Sequence, residues 1–520
     1  MAEKQEAALE VLRPDRHEHE KELHPLRVLW SGRGLTVLGS EGNGYALVAN
    51  KRVDRAILGY AVSPFNPDSN PGLAWYLAAA EEALNSSDRS QEAYTGKLMD
   101  SLPPLMTSLW NQNAPFNLQC PTTADGSHYP SGCVATAMAQ IMYYHKYPLK
   151  GQGTHQYSFH PASGDNRLIS ADFGQTAYGW DEMLDDYASV KYTDAQAQAV
   201  STLLLHCGVS VDMQYTASGS GASTEEAAYG LRTYFGYHGN IGCFYRDYYS
   251  LDDWMNMVYA ELNKKRPILY AASDYYGSGG HAFVIDGYDA QGRVHVNWGW
   301  GARGGNGYFD IGLLNPSGSQ YSENQRMVLG IARPEEDIEY QSHIVSPNAF
   351  IVVKAGNKLL VTPGSTMYNL CGETWSGRLG LILEGNGQTW VLQEKTVTGA
   401  SFRYNVIGKV DGNFGGLVAL PEGIANGAYR LYAASRDERD RSWRLVRRSD
   451  GQTNSYLVTI VDGSPSSVEA DGSDVWTALP APVRQHTDNR LYEVDGRPVR
   501  QPVEGRVYIY KGEKLRWNHP

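Results

Sequence analysis

The chain has 520 residues, and its 45 Lys and Arg against 57 Asp and Glu give a formal net charge of −12. This length exceeds one ordinary core and predicts about three domains of ~150 residues each. An acidic balance without a basic block argues against a nucleic-acid or anionic-membrane partner, and no apolar run reaches the roughly 18 residues that span a bilayer. The start, MAEKQEAALEVL, lacks the apolar centre of a signal peptide, so we expect any such peptide to have been removed ahead of this numbering.

Five cysteines occur, at Cys120, Cys133, Cys207, Cys243 and Cys371, without a CxxC pair or a His cluster at metal-ligand spacing. The odd number excludes a dense disulfide framework, and we expect neither a metal nor a cofactor. Cys120, Cys207 and Cys243 have no basic neighbour at an apparent helix start, which predicts structural thiols.

Residues 1–97 predict a small α+β unit. A charged helical stretch comes first, and short strands separated by Gly and Asn turns follow in RVLWSGRGLTVL, GYALVANK and RAILGYAV. The stretch NPGLAWYLAAAEEALN has helical apolar spacing and an Asn-Pro start.

Residues 98–335 change character halfway along. The first half predicts helices in SGCVATAMAQIMYYHKY, in TDAQAQAVSTLLLHCG after a Thr193–Gln196 capping box, and in STEEAAYGLRTYFGY opened by Ser223 and Glu226. After the helix LDDWMNMVYAELNKK come strands in PILYAAS, HAFVIDGYD, RVHVNWGW and GYFDIGLL. A helical lobe joined to an antiparallel sheet lobe predicts a cleft between them, where sites tend to form.

The remainder is strand-like. Residues 336–465 contain AFIVVKAG, KLLVTPG, LGLILEG, QTWVLQEKTV, GAYRLYAAS and SYLVTIVDG between Gly, Asn and Asp turns, which predicts a β-sandwich accessory domain. Residues 466–520 are predicted to begin with a linker, within GSPSSVEADGSD, and to end in compact strand-turn units.

Cys133 has the local setting of a nucleophile. Ser131 and Gly132 predict a turn, and the small residues of VATAMAQ let a helix begin at Cys133. Free amide groups and the helix dipole favour a thiolate there and are expected to lower the pKa below its usual value of about 8.5. The alternative is a small buried hydrophobe in an Ala-rich helix.

A second stretch, SGSGGHAFVIDGYDAQGRVHVNWGWGARGG, supplies a possible partner. His281 follows a glycine-rich loop and opens a strand, and Asn297, Trp298 and Trp300 follow two strand-like runs later. A thiolate needs a base to protonate the leaving amine, and that base needs a group to orient it. A structural histidine and an aromatic core hairpin are the alternatives for these residues.

The strings GCVATAMAQIMYYHKYP, GVSVDMQY, GGHAFVIDG, VHVNWGWG and LNPSG, in this order, resemble the streptopain family of papain-like cysteine proteases, including interpain-type enzymes. The resemblance implies a papain-like α+β catalytic domain. By position, Cys133 matches the nucleophile and His281 the general base and acid. The family's His-orienting tryptophan falls on Trp298, next to Asn297, where papain itself uses an asparagine. Gln112 in WNQNAPFN matches the oxyanion glutamine, which acts with the backbone N–H of Cys133.

The resemblance also implies protein and peptide substrates, with a hydrophobic side chain preferred two residues before the scissile bond. Gly279, Gly280, Ser220 and Gly221 are the expected cleft walls, because glycine lets a substrate backbone approach closely.

Residues 1–97, notably YALVANKRVDRAILGYAV, resemble that family's inhibitory propeptide, so the chain's own propeptide is an expected partner. It would occupy the cleft or displace His281, and a cut near residues 88–105 would release activity. The terminal LYEVDGRPVRQPVEGRVYIYKGEKLR resembles sorting segments of proteins exported by Gram-negative anaerobes. It implies a secreted or cell-surface protein that meets the secretion machinery through this segment.

Two other classes of function stay open. One is a surface adhesin or carbohydrate-binding protein with a catalytically silent papain-like domain, suggested by the aromatic content and the β-rich third segment. The other keeps the acyl-thioester step in an amidase or a transglutaminase. A cleavage profile on a peptide library separates both from a protease.

Overall fold

The computed structural model describes residues 2–12, 26–40, 44–51, 56–85, 94, 96, 100–159, 166–273, 280–314, 325–347, 350–362, 366–403, 405–440, 442–449, 454–471, 491–492, 507–510 and 513–516. The chain divides into two units, Met1–Asp471 and Gly472–Pro520. The helices in these residues are α1 (Ala2–Leu12), α2 (Pro71–Asn85), α3 (Cys133–His145), α4 (Asp194–Val209), α5 (Thr224–Thr233) and α6 (Leu251–Asn263). No helix in the described ranges is long and apolar enough to cross a membrane.

An antiparallel ten-stranded sheet runs through the first unit in the order β1-β2-β3-β4-β11-β10-β9-β8-β12-β7. Its strands are β1 (Arg27–Ser31), β2 (Leu35–Gly39), β3 (Tyr45–Ala49), β4 (Ile57–Ala61), β7 (Gly242–Tyr245), β8 (Ile268–Ser273), β9 (Gly280–Tyr288), β10 (Val294–Asn297), β11 (Gly307–Phe309) and β12 (Arg326–Leu329). A separate hairpin, which the sequence analysis did not predict, pairs β5 (Thr154–Phe159) with β6 (Arg167–Asp172).

The strands of residues 1–97 do not form a sheet of their own. Strand β4 pairs with β11, with Tyr60 opposite Tyr308, so the first four strands extend the sheet that carries His281. The predicted strands and helix of this segment are therefore present, and its edge strand hydrogen-bonds to the following segment.

Both faces of this sheet are covered. Ala282 and Val284 of β9 belong to one core with α3, whereas Phe283 and Ile285 belong to a second core with α2. Alternation along the strand places neighbouring residues on opposite faces, so His281 shares the α2 face with Phe283. The two rings are stacked, with centroids 6.3 Å apart.

The helices begin largely where their sequence signals predict. The capping box of α4 is formed, with Thr193 and Gln196 each bonding the other's backbone. The predicted box at the start of α5 is half formed: the Glu226 carboxylate accepts from the backbone N–H of Ser223, but the Ser223 side chain caps no amide. The Ser223 hydroxyl donates to the carboxylate of Glu225 instead.

The β-rich part of the first unit contains β13 (Ile344–Ser346), β14 (Ile351–Ala355), β15 (Lys358–Thr362), β16 (Tyr368–Asn369), β17 (Trp375–Gly385), β18 (Gln388–Ala400), β19 (Gly416–Ala419), β20 (Gly427–Asp437), β21 (Arg444–Leu445), β22 (Arg447–Arg448), β23 (Ser455–Val461) and β24 (Ser464–Ala470). Strands β14, β15 and β19 form one sheet, β13, β16 and β22 a second, and β17, β18, β20, β21, β23 and β24 a third. These sheets share one apolar core, and the β-sandwich itself stays a prediction.

The predicted linker is partly wrong. Residues 464–470 form strand β24, which pairs with β23 at the edge of the third sheet. Serines suit such an edge, because backbone pairing to one neighbour holds the strand while its side chains face water. In the second unit, β25 (Leu491–Tyr492), β26 (Val507–Tyr510) and β27 (Glu513–Arg516) form a three-stranded antiparallel sheet.

Candidate active site

Helix α3 begins at Cys133, as predicted. Gly132 precedes it with φ +92°, a conformation that favours glycine. A methyl group on Gly132 would also lie 2.6 Å from the sulfur of Met213. Both facts require glycine at this turn, and the turn places Cys133 in the first helical position.

The thiol of Cys133 lies against the other half of the site. Backbone N–H groups of Ala282, Val134 and Cys133 act on the sulfur and favour its thiolate, but desolvation is the larger effect and raises its pKa. The expected lowering of this pKa is therefore wrong for the arrangement seen here, in which the side chain is only partly exposed. The amide of Ala282 is adjacent to His281, so the fold does bring the two predicted catalytic segments together.

His281 is held in a neutral state on the sheet side of the site. Its Nε2 lies 2.7 Å from the carbonyl oxygen of Trp298. A carbonyl only accepts, so Nε2 carries the proton and Nδ1 is the basic nitrogen. Burial lowers the pKa of His281 to about 4, although the Trp298 carbonyl acts in the opposite direction. Among the described residues, no hydrogen bond joins His281 to Cys133.

The first turn of α2 packs closely against His281. A methyl group on Gly72 would lie 2.5 Å from Cδ2 of His281 and 2.5 Å from Cε3 of Trp298. Asn70 caps the same turn by accepting from the amide of Leu73 at 3.0 Å. The histidine therefore faces a helix of the first segment. Nothing in the helical pattern of NPGLAWYL indicated this contact.

Trp298 and Asn297 have different surroundings. The backbone carbonyl of Trp298 holds His281, while its indole is buried with Phe283, at a centroid distance of 4.8 Å. Asn297 faces the α3 side, where its amide donates to the carbonyl of Ser108 at 2.8 Å and contacts Gln140. Its side chain makes these hydrogen bonds away from the imidazole, and a catalytic role for Asn297 stays a prediction.

Gln112 lies beside the turn that precedes Cys133. It is buried, and its carbonyl accepts from the amide of Ser131 at 2.9 Å, two residues before Cys133. The neighbouring Trp110 carbonyl accepts from the amide of Gly301 at 2.9 Å. The Gln112 segment is thus tied to the start of α3 and to the loop after β10, and its catalytic role stays a prediction.

The expected cleft walls are only partly described. Ser220 lies beside the turn that precedes Cys133, where its hydroxyl donates to the carbonyl of Pro130 at 2.6 Å. Gly221 has open space where a Cβ would point, and Gly280 is the exposed first residue of β9. Gly279 lies outside the described residues.

The other thiols in the first unit are buried and unpaired. Burial raises the pKa of Cys120 to about 12 and also raises those of Cys207 and Cys243. Neutral, desolvated thiols fit the structural role predicted for them.

The site has the components of a thiol hydrolase. These are a cysteine at the start of a helix, a histidine at the start of a strand and a glutamine beside the turn that precedes the cysteine. Comparison with known proteins agrees. Residues 110–309 match the Peptidase C10 family. Streptopain of Streptococcus pyogenes serotype M28 (strain MGAS6180) is 31% identical over 306 residues, which cover 55% of this chain and 76% of streptopain.

Two further relatives extend this result. The thiol protease/hemagglutinin PrtT of Porphyromonas gingivalis is 34% identical over 317 residues, which cover 56% of this chain and 36% of PrtT. A solved fragment of Prevotella intermedia prointerpain A is 38% identical, with a TM-score of 0.54, over 59% of this chain and 98% of the fragment. The chain belongs to the Peptidase C10 family, the streptopain family, and is a cysteine endopeptidase.

Proposed function

We propose that this chain is the latent precursor of a secreted protease that cleaves proteins through a Cys133–His281 pair and an acyl-thioester intermediate. The observation that carries the proposal is the position of the Cys133 sulfur against the amide of Ala282, one residue from His281.

In the proposed reaction, Nδ1 of His281 takes the thiol proton and the thiolate attacks the carbonyl carbon of the substrate. The oxyanion is stabilised by the side-chain amide of Gln112 and the backbone N–H of Cys133, each worth about 2.7–4 kcal/mol in comparable sites. His281 then protonates the leaving amine, and water hydrolyses the thioester. Trp298 orients the imidazole through its carbonyl.

Residues 1–97 are proposed to keep the protease inactive. Its helix α2 contacts His281 through Gly72, and its strands continue the sheet that carries the histidine. Tyr76 of the same helix donates to the carbonyls of Leu58 at 3.1 Å and Asp310 at 2.9 Å. While this helix is in place, the imidazole is buried and neutral. Removal of residues 1–97 would remove the contact at Gly72 and open the imidazole to the cleft.

Backbone hydrogen bonds at Leu102 and Leu105 support a processing site earlier in the chain. Leu102 exchanges two backbone hydrogen bonds with Tyr288, at 2.8 and 2.9 Å, and Leu105 donates to the carbonyl of Asp286 at 2.9 Å. A chain held in this way resists cleavage, because a protease needs an extended, unpaired segment. Within the expected window of 88–105, the cut therefore falls before Leu102.

The remaining assignments follow the same resemblance. A hydrophobic residue two positions before the scissile bond is proposed to contact the walls at Ser220, Gly221, Gly279 and Gly280. The β-rich part of the first unit is proposed to be an accessory β-sandwich. The separate second unit, Gly472–Pro520, is proposed to be the sorting segment that directs export.

The test uses the full chain and its Cys133→Ala variant. We expect the wild type to shorten with time at a site before residue 102, to be labelled at Cys133 by a thiol-reactive peptidyl epoxide only after shortening, and to cleave a peptide library. The Cys133→Ala chain should stay intact alone and be cut when mixed with active enzyme. A Cys133→Ala chain that shortens by itself at the wild-type rate would disprove self-activation. A wild type that binds but never cleaves peptides would favour the adhesin.

A further inference from the structure

Gln140 joins three separate segments of the site by one side chain. It lies on α3, two turns after Cys133, and is 1% exposed. Its Oε1 accepts from the hydroxyl of Ser108 at 3.1 Å, from the amide of Trp110 at 3.4 Å and from the side chain of Asn297 at 3.1 Å. One buried oxygen thus connects the nucleophile helix, the strand that leads to Trp298 and the segment that leads to Gln112.

Asn297 carries this connection to the histidine. Its Oδ1 accepts from the amide of Gly299 at 3.1 Å. The N–H of Gly299 and the carbonyl of Trp298 belong to the same peptide group, and that carbonyl is the acceptor for Nε2 of His281 at 2.7 Å. Because a peptide group is planar and rigid, fixing its N–H fixes the direction of its carbonyl.

This peptide group needs such support. Gly299 and Gly301 both have positive φ values, +74° and +73°, in the loop after β10. Glycine offers little resistance to backbone rotation, so the loop alone would not hold the carbonyl in one direction. Asn297 closes a local hydrogen-bonded turn across it, and Gln140 holds Asn297.

We infer that Gln140 is a positioning residue: acting through Asn297, it aims the Trp298 carbonyl at His281 and ties the ring's orientation to the helix that begins at Cys133. The inference rests on the proposed Cys133–His281 reaction. In this role Asn297 does not contact the imidazole but holds the peptide group whose carbonyl accepts from Nε2 of His281. Nδ1 stays available to the thiol.

The test compares Gln140→Met, Asn297→Leu and the double variant in the full chain after self-processing. Each single change should lower kcat by about 10-fold or more while KM changes by less than about 3-fold, because ring orientation matters in the transition state. The double variant should be about as slow as the slower single variant, since both changes break the same connection. The acid limb of the pH profile for Cys133 alkylation by iodoacetamide should shift in all three.

Two variants distinguish positioning from folding. Gln140→Glu keeps an oxygen for the same donors and should retain much more kcat than Gln140→Met. Tyr143→Phe removes a buried hydroxyl of the same helix that bonds Met183 and Asp185. It should lower thermal stability yet keep kcat and the alkylation profile.

The inference is overturned if folded Gln140→Met keeps wild-type kcat and alkylation profile, if the two losses multiply in the double variant, or if Tyr143→Phe reproduces the shift. A wild type without peptidase activity would overturn the proposed function itself, and with it this inference.

Discussion

Gly72 lies so close to His281 that a methyl group on its Cα would be 2.5 Å from a ring carbon. Real Cβ atoms do not approach other atoms this closely, and the first turn of α2 is held by its own cap and by the sheet below. The contact makes a glycine in the first segment a direct structural neighbour of the proposed general base.

Replacement of Gly72 by alanine tests this relationship. Alanine favours a helix over glycine by about 1 kcal/mol, so propensity alone would stabilise α2. The clash acts in the opposite direction and should displace the first turn from His281. We expect the Gly72→Ala precursor to self-process several-fold faster than wild type, as measured by the loss of the full-length band over time.

Ala74→Ser is the matched control, because it changes an exposed position of the same helix. It should process at the wild-type rate. Gly72→Ala processing that is equal to or slower than wild type would show that the helix can shift without releasing the histidine.

Gln112→Ala tests the oxyanion assignment. Removal of one preorganised donor should lower kcat by about 100- to 1,000-fold, with little change in KM, because the donor acts on charge that develops only in the transition state. Steady-state kinetics on one peptide substrate measure both constants. Gln112→Glu places an acceptor at the same position and should be at least as slow. Near-wild-type kcat in both variants would remove Gln112 from the mechanism.

The pH dependence of stability follows from three buried histidines, His206, His281 and His343, and the half-buried His145. Desolvation lowers the pKa of His145, His206 and His281 to about 4 and that of His343 to about 3. Between these values and the usual 6.5, the unfolded chain binds more protons than the folded chain. The free energy of unfolding should therefore fall as pH falls from about 6.5 to 4, by about 1.4 kcal/mol per pH unit for each proton.

Glu226 acts in the opposite direction. Burial and the nearby Asp212 and Glu225 carboxylates raise the pKa of Glu226 to about 7, so its contribution to stability is lost as pH rises through that value. One glutamate is outweighed by four histidines. Urea unfolding of the Cys133→Ala chain at a series of pH values measures the net slope. A His206→Gln variant should show a shallower slope, and a flat wild-type profile from pH 6.5 to 4.5 would contradict the prediction.

The sequence predicted the elements that have strong local signals. Helices α3 and α4 begin at a glycine turn and at a capping box, and the strand patterns of β8, β9 and β10 hold in the sheet. Proximity of the Cys133 and His281 segments was also predictable, because the order of motifs resembles one family. Each of these signals lies within a few residues of the element that it predicts.

The features that the sequence did not indicate depend on contacts between distant residues. Asn297 bonds Gln140, 157 positions away in the chain, and no local pattern indicates which way its amide points. The Ser-rich strand β24 resembles a linker until its partner β23 supplies the backbone hydrogen bonds. The pKa of Cys133 depends on how far the surrounding residues desolvate the sulfur, and an argument from the helix dipole does not include that effect.

Glu225 of α5 forms two ion pairs, one with Arg326 of β12 and one with Arg403 in the β-rich part of the first unit. The Glu225 carboxylate is fully buried and contacts Arg326 at 2.9 and 3.0 Å and Arg403 at 3.4 Å. The Arg326 side chain is 16% exposed and that of Arg403 is 59% exposed. The contribution of each ion pair to the free energy of unfolding should depend on how deeply its two side chains are buried.

Glu225→Gln removes the buried carboxylate charge that Arg326 contacts, and breaking such a buried pair typically costs about 3–5 kcal/mol of unfolding free energy. Arg403→Ala removes an exposed, longer contact and should cost less than about 1 kcal/mol. Arg378→Ala, at another exposed pair with Glu394, is the control and should cost equally little. Urea unfolding in the Cys133→Ala background gives all three values. A loss for Arg403→Ala as large as that for Glu225→Gln would mean that the contact to the β-rich part, and not burial of the carboxylate, holds this end of α5 in place.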